Sequence, residues 1–172
     1  MNEYLVIDGY NIINNWKALK EESIYSLENA RMKLLDIMAN YQSYKGTRVI
    51  IVFDAHYVKN NMEMHEIYNG IHVIYTKEFE SADNYIERFV AKNVSSKNII
   101  RVATSDYLEQ TVVLGLGGAR ISAKELEEEI KNAKKNMDKD YISKEKHNKN
   151  LLEDRLNSKV FSSLEKLRRK KY

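Results

Sequence analysis

Four aspartates stand where predicted strands end or predicted helices begin. Asp8 closes the apolar run YLVID and Asp54 closes VIIVFD, whereas Asp83 and Asp106 follow serines at predicted helix starts. In an open parallel sheet the ligand crevice lies outside the carboxyl ends of the strands, so we expect these side chains to converge. Carboxylates at such short distances from one another repel each other unless a cation or a proton intervenes. Because the chain has no cysteine, its oxygen ligands favour a hard ion, Mg²⁺ or Mn²⁺.

An acidic cluster of this kind predicts chemistry on phosphodiesters. A hard cation binds phosphate oxygens, activates a water for in-line attack and neutralises the charge on the leaving oxygen. The candidate metal ligands are Asp8, Asp83 and Asp106, and Asn11 can aim its amide at the same crevice. The supporting positions, which could orient the phosphate or the attacking water or extend the acidic wall, are Asp54, Glu80, Thr104 and Ser105.

Each of these acids also has an ordinary structural interpretation. Asp8 could cap the turn that follows its strand. Asp83 and Asp106 lie in first turns of helices, where the helix dipole favours an acid whatever its function. The sequence leaves open whether Asp54 or Glu80 would ligate metal directly. The metal hypothesis therefore rests on the acids taken together.

The elements that must position these residues alternate between strands and helices. Strands are predicted over residues 4–8, 48–54, 72–75, 98–104 and 119–122. Helices are predicted over residues 26–44 and 82–94, from 105 to the glycine cluster, and from a capping box at Ser122 and Glu125 to 136. Residues 55–70 are polar and predict an irregular segment with a possible short helix. The alternation predicts a three-layer α/β/α sandwich with a mostly parallel central sheet.

The composition is that of a protein with one main core. A chain of 172 residues with 43% hydrophobic residues can bury one substantial core, so we expect one domain over residues 1–138 and an extension over 139–172. The N-terminus has no apolar signal region, and no stretch approaches the length of a membrane span. We therefore expect a cytoplasmic protein without a membrane partner, and we favour a monomer.

The net charge of +3 is unevenly distributed. Residues 139–172 carry eleven Lys or Arg against five Asp or Glu, a balance of +6, which leaves −3 for the remainder. Such a basic extension predicts contacts with a polyanion, and its predicted form is a polar helix. The alternative is a solvated helix that is merely rich in lysine. The candidate RNA- or ribosome-binding residues are Arg168, Arg169, Lys170 and Lys171.

Five stretches make the chain similar to a known family. VIDGYNII, VFDA, YTKEFESADNYIE, VATSDYLEQ and GARISAKEL run in this order through the body of the chain. With them the chain resembles the YacP-like branch of the NYN domains, relatives of PIN-domain nucleases. The resemblance implies a PIN-like fold and a metal-dependent endoribonuclease that cuts mRNA in association with the translating ribosome. The residues that match the family's active-site positions are Asp8, Asn11, Asp83 and Asp106.

Phe79 departs from the resemblance, because a small or polar residue is more usual in that loop. Two other classes of protein stay open as alternatives. One is a PIN-like module that binds RNA or the ribosome without cutting, although such a module would not need the acidic cluster. The other is a phosphoacceptor receiver domain, in which Asp83 would have no role and an expected acidic pair after the first strand is missing. The residues that could imitate a receiver site are Asp8, Asp54, Thr104 or Ser105, and Lys124.

Overall fold

A six-stranded sheet forms the centre of the protein, with the strand order β3-β4-β2-β1-β5-β6. The structure is a computed structural model that describes residues 2–54, 63–137 and 166. The elements in chain order are β1 Asn2–Asp8, α1 Gly9–Asn15, α2 Lys17–Tyr25, α3 Leu27–Lys45, β2 Arg48–Phe53, β3 Met64–Tyr68, β4 Ile71–Tyr75, α4 Ala82–Asn93, β5 Asn98–Ala103, α5 Tyr107–Gly115, β6 Ala119–Ile121 and α6, described over residues 123–137.

The sheet is mostly parallel, which confirms the predicted fold class. Strand β1 pairs in parallel with β2 and β5, β2 with β4, and β5 with β6, whereas β3 is antiparallel to β4. In this register Asp8 lies opposite Val52, and Ile7 lies opposite Ala103. The strands β1, β2 and β5 thus end at the same edge of the sheet, and the loops that follow them lie side by side.

Helices cover both faces of the sheet. Leu5 and Ile7 of β1 belong to a core with residues of α1, α2, α3 and α6, whereas Val6 belongs to a second core with residues of α4 and α5. A central strand that is buried on both faces is apolar at nearly every position, as in parallel sheets generally. This double burial explains why the apolar runs before Asp8 and Asp54 are almost continuous.

The sequence predicted an irregular segment over residues 55–70. This prediction is wrong for Met64–Tyr68, which form the strand β3. Its pairing with β4 brings Tyr68 opposite Ile71 across a two-residue turn of Asn69 and Gly70, both with positive φ. An Asn-Gly pair is the strongest short signal for such a hairpin. The strand has no apolar alternation because it lies at the sheet edge, where His65, Glu66 and Ile67 are exposed. Residues 55–62 lie outside the described residues.

Helices α1 and α2 occupy a stretch for which the sequence predicted no element.

The chain divides into the units Met1–Ala133 and Lys134–Tyr172, and the sheet belongs to the first. The predicted boundary at residue 138 and the predicted helix of the extension, with Arg168 to Lys171, fall outside the described residues. No helix in the described part of the chain has the length and apolar character that a membrane span requires.

Candidate active site

Asp8 occupies the junction between the central strand and the first helix. It is the last residue of β1 and the N-cap of α1, with extended backbone angles. Its Oδ1 accepts a hydrogen bond of 3.1 Å from the backbone N–H of Asn11, which satisfies one of the free donors of the helix N-terminus. The side chain is half-buried. Burial raises the pKa of Asp8 to about 6, against the effect of the Asn11 N–H, and the charges of Asp83 and Asp54 raise it further.

Gly9 lets α1 begin immediately after Asp8. A Cβ at Gly9 would lie 2.3 Å from Cε1 of Phe53, which is a fully buried ring of β2. The helix therefore approaches β2 more closely than any larger residue allows. This contact helps to determine where the Asp8 carboxylate lies.

We expect Gly9→Ala to destabilise the protein by about 1–3 kcal/mol, because the methyl group must displace a packed ring. The free energy of unfolding, measured by urea denaturation, gives the test. Gly115→Ala is the matched control: nothing lies within 4 Å of its Cβ position. Ala also favours the helical conformation there. Equal stability of the two variants would contradict the close contact at Gly9.

Asp83 reaches the same edge of the sheet from α4. Ser81 is the N-cap of this helix and accepts a hydrogen bond of 3.2 Å from the N–H of Asn84, so Asp83 lies in the first turn. Its side chain is half-buried. Burial raises the pKa of Asp83, and the charges of Asp106 and Asp54 add to that effect.

Glu109 is the functional candidate that the sequence reasoning missed. It lies in the first turn of α5, is 3% exposed, and neither of its carboxylate oxygens has a hydrogen bond of normal geometry. Burial raises the pKa of Glu109 to about 8; the Thr104 side chain opposes this shift, and nearby carboxylates increase it. Burying a carboxylate without a hydrogen bond of normal geometry costs folding free energy. Such a group in a native structure calls for an explanation, and an ion bound at the site is one.

A sequence signal for Glu109 existed but indicated a different role. Asp106 and Glu109 have the spacing of a capping box, in which the third residue of the helix reaches back to the N–H of the cap residue. In the structure the N–H of Asp106 donates instead to Oγ1 of Thr104, at 3.0 Å. The Glu109 side chain is thereby free to turn inward.

Three carboxylates meet at this edge of the sheet. One oxygen each of Asp8, Asp83 and Glu109 lies within 4.8 Å of the other two. The group fits a hard divalent cation because its ligands are all oxygen, two of its members are half-buried and the third is buried without a hydrogen bond of normal geometry. Mg²⁺ keeps several waters, so three carboxylates are enough to hold it.

A cavity of about 540 Å³ opens beside this group. It shares Asp8 and Asp83 with the carboxylate cluster, and Asp54 forms a further acidic part of its wall. Asp54 therefore lies next to the acids, and its charge raises the pKa of both Asp8 and Asp83 after the larger effect of burial. The residues that line the cavity are Asp8, Tyr10, Asn11, Asn14, Leu27, Asp54, Ser81, Ala82 and Asp83.

Asp106, predicted as the third ligand, is an exposed N-cap. Its Oδ1 accepts hydrogen bonds from the N–H groups of Leu108 and Glu109, at 2.8 and 3.2 Å. Within the described part of the chain, the group of close carboxylates does not include it. Asp106 is nevertheless near enough to affect the pKa of Asp83. Direct ligation by Asp106 stays a prediction.

Asn11 ties two loops of the site together. Its Oδ1 accepts a hydrogen bond of 2.9 Å from the backbone N–H of Ser105, and Nδ2 of Asn15 donates to the same oxygen at 3.1 Å. The hydroxyl of Ser105 accepts from the N–H of Ala123 at 3.2 Å. Asn11 therefore lines the cavity with a fixed orientation, and Ser105 supports that orientation.

Two further predicted supporting residues have structural partners. Thr104 is fully buried, and its backbone oxygen accepts a hydrogen bond of 2.7 Å from Nε2 of Gln110. Glu80 is buried and forms an ion pair of 3.0 Å with Arg88, so it stabilises the loop before α4. Neither residue belongs to the group of three carboxylates.

The raised pKa values predict that the metal-free protein loses stability as the pH rises. The folded state binds protons at Asp8 and Glu109 more tightly than the unfolded state, so folding is favoured at low pH and this advantage falls as the pH passes through about 6 and about 8. Glu109 has the larger pKa shift of the two groups, so Glu109→Gln removes the larger part of this pH-dependent loss of stability. In chelator we expect this variant to exceed wild type by on the order of 2 kcal/mol at pH 8, about 4–8 °C in melting temperature.

Melting temperatures in chelator from pH 5 to pH 8 test this prediction. The difference between Glu109→Gln and wild type should grow with pH, because the wild-type carboxyl group is protonated and neutral at the acid end. Glu128→Gln is the control, since Glu128 is an exposed residue of α6. A difference that stays constant with pH would mean that Glu109 titrates normally.

Comparison with known proteins places the chain in a family. The model of the YacP-like NYN domain matches residues 5–169. The chain is 43% identical over 137 residues to the uncharacterized protein YacP of Bacillus subtilis (strain 168), which covers 80% of each protein.

Solved structures agree with this assignment. The crystal structure of Rae1 (YacP) from Bacillus subtilis superimposes with a TM-score of 0.71 at 40% identity, covering 96% of this chain and 94% of that chain. A crystal structure of a tryptophan-to-leucine variant of the same protein gives a TM-score of 0.69 at 42% identity, covering 81% and 80% of the two chains. NYN domains are nuclease-type domains, and the acidic cluster at the carboxyl edge of the sheet agrees with that role. The chain belongs to the YacP-like NYN domain family.

Proposed function

We propose that the protein is a metal-dependent endoribonuclease that cleaves mRNA in association with the translating ribosome. The observation that carries the proposal is the group of Asp8, Asp83 and Glu109, whose oxygens lie within 4.8 Å of one another. Membership of a nuclease-type family supports the reaction class. A function on the ribosome also implies that the protein works in the cytoplasm.

Some residues of the site would hold the cation, and others would position the substrate. Asp8, Asp83 and Glu109 would hold Mg²⁺ or Mn²⁺, with Asp106 at their side. The bound ion would supply an activated water and neutralise charge on the phosphate oxygens. Asn11 positions the substrate: because its Oδ1 is held by the N–H of Ser105, its Nδ2 is the group that can donate to a phosphate oxygen.

Cleavage of a reporter mRNA with and without translating ribosomes tests the proposal. Wild-type protein should cut the reporter only when ribosomes translate it, and Asp8→Asn should not cut it at all. Equal cutting of free and translated RNA would contradict the proposed dependence on the ribosome. Binding to ribosomes without any cutting would favour a non-catalytic RNA-binding module.

We also propose that the basic extension contacts the phosphates of rRNA or mRNA. Each phosphate contact that is lost should flatten the dependence of binding on salt by roughly 0.7–0.9 in log–log slope, because fewer counterions are released. Replacing four basic residues by Gln should therefore weaken ribosome binding, most visibly at low salt. The residues to replace are Arg168, Arg169, Lys170 and Lys171.

Sedimentation with ribosomes over a salt series measures both affinity and slope. A matched control removes the same charge from exposed lysines of the body. These are Lys17, Lys20, Lys33 and Lys131. If the control weakens binding as much as the tail variant, net charge alone explains the effect. An unchanged slope in the tail variant would mean that these four residues make no phosphate contacts.

A further inference from the structure

Phe79 combines two unfavourable features at one position. Its backbone has φ 65°, and its ring is 93% exposed. A bulky residue with positive φ is an outlier, since such backbone is strained for a residue with a side chain. An exposed ring of this size also forgoes the gain of burial. Among the described residues the other non-glycine residue with positive φ is Asn69, which lies in a hairpin turn that requires it.

The loop that carries Phe79 is held from both sides. Thr76 is 1% exposed, and its N–H donates to the oxygen of Phe53 at 3.0 Å. On the other side the N–H of Glu80 donates to the oxygen of Lys77 at 3.1 Å, and the Glu80 carboxylate is paired with Arg88. Strain at a single residue persists when the surroundings determine its conformation in this way, and such residues cluster at functional sites.

This loop leads directly into the candidate active site. Ser81, Ala82 and Asp83 line the cavity, and Phe79 precedes the first of them by two residues. Two residues of chain span at most about 7 Å, so the backbone of Phe79 lies within about 7 Å of Ser81, which lines the cavity. A nucleotide whose phosphate is bound near Asp83 therefore has its neighbouring bases within reach of an exposed ring.

We propose that Phe79 is a base-stacking residue that holds an unpaired base of the RNA beside the phosphate bound at the acid cluster. The inference rests on the proposed endoribonuclease function and extends it to single-stranded substrate. Every base presents a π-face, so a phenyl ring binds bases with little regard to their sequence. The backbone strain at Phe79 is present in the free protein, and it is offset only in the complex, where a base covers the ring.

Two variants separate stacking from a structural role. Phe79→Asn removes the ring and tolerates positive φ, whereas Phe79→Tyr keeps the ring. In the reporter assay, the protein concentration that gives half-maximal cleavage should rise about 5- to 100-fold for Phe79→Asn. It should change little for Phe79→Tyr, and the maximal rate should fall less than the apparent affinity. The melting temperature of Phe79→Asn should rise by about 2–4 °C as strain is relieved.

Tyr44→Ala is the control, because Tyr44 is a partly exposed ring near the C-terminus of α3. This helix end leads into the start of β2, whereas the candidate site lies where β1 and β2 end. Opposite changes in stability and affinity for Phe79→Asn, with unchanged affinity in the control, are the expected result. Unchanged half-maximal concentration for Phe79→Asn, or an equal rise for Phe79→Tyr, overturns the stacking role while cleavage by wild type upholds the nuclease. Wild-type protein that cuts no reporter overturns the proposed function, and the role of Phe79 with it.

Discussion

Asp8→Asn, Asp83→Asn and Glu109→Gln are each expected to lower mRNA cleavage by at least about 10³-fold, roughly 4 kcal/mol of barrier. Each variant removes one oxygen ligand from a group of three, and the chemistry of the site depends on the cation that the group holds. The fold should survive, because removing one of several clustered charges relieves repulsion in the metal-free protein. Cleavage and melting temperature in chelator, measured on the same preparations, give the test.

Two controls make this result specific. Glu128→Gln makes the same chemical change at an exposed position of α6 and should leave cleavage unaltered. Asp106→Asn separates the predicted ligand set from the observed group, because Asn caps a helix as well as Asp does. Loss of cleavage in Asp106→Asn would make Asp106 a ligand, whereas wild-type cleavage would restrict its role to capping α5. Retained cleavage in Asp8→Asn, Asp83→Asn and Glu109→Gln would eliminate the site.

Removal of divalent ions is expected to abolish cleavage completely, and either Mg²⁺ or Mn²⁺ should restore it. The ligands are oxygen atoms only, and the chain has no cysteine that would favour a softer ion. The measurement is cleavage of one RNA in excess chelator, followed by addition of each ion. Full activity in chelator would point to metal-free chemistry.

Ion binding also has a readout that does not depend on activity. An ion that binds only the folded protein stabilises it by about 2.7 kcal/mol at a hundred times its dissociation constant. Mn²⁺ should therefore raise the melting temperature of wild type by about 5–11 °C. The rise should be lost in Glu109→Gln and kept in Glu128→Gln. Equal shifts in both variants would place the ion away from the cluster.

Much of the scaffold could be predicted from the sequence because its signals are local. The apolar runs that end at Asp8 and near Asp54 are central strands, and their near-continuous apolar character follows from burial on both faces. The serine before Asp83 caps α4 as a local hydrogen bond between neighbours in sequence. The parallel order of the strands then brings Asp8 and Asp83 to one edge. Motifs alone were enough to indicate the family.

Tertiary structure decided what depends on packing between distant segments. β3 lies at an edge of the sheet with three of its five positions exposed, so it carries no apolar pattern, and its pairing with β4 depends on the hairpin turn. Glu109 has the spacing of a capping residue, and only the hydrogen bond between Asp106 and Thr104 frees its side chain to turn inward. The inward turn places Glu109 with Asp8 and Asp83, and burial there raises its pKa. The sequence thus determined which edge of the sheet carries the acids, whereas the packing of α5 decided which carboxylates meet there, because burial is a property of the assembled fold.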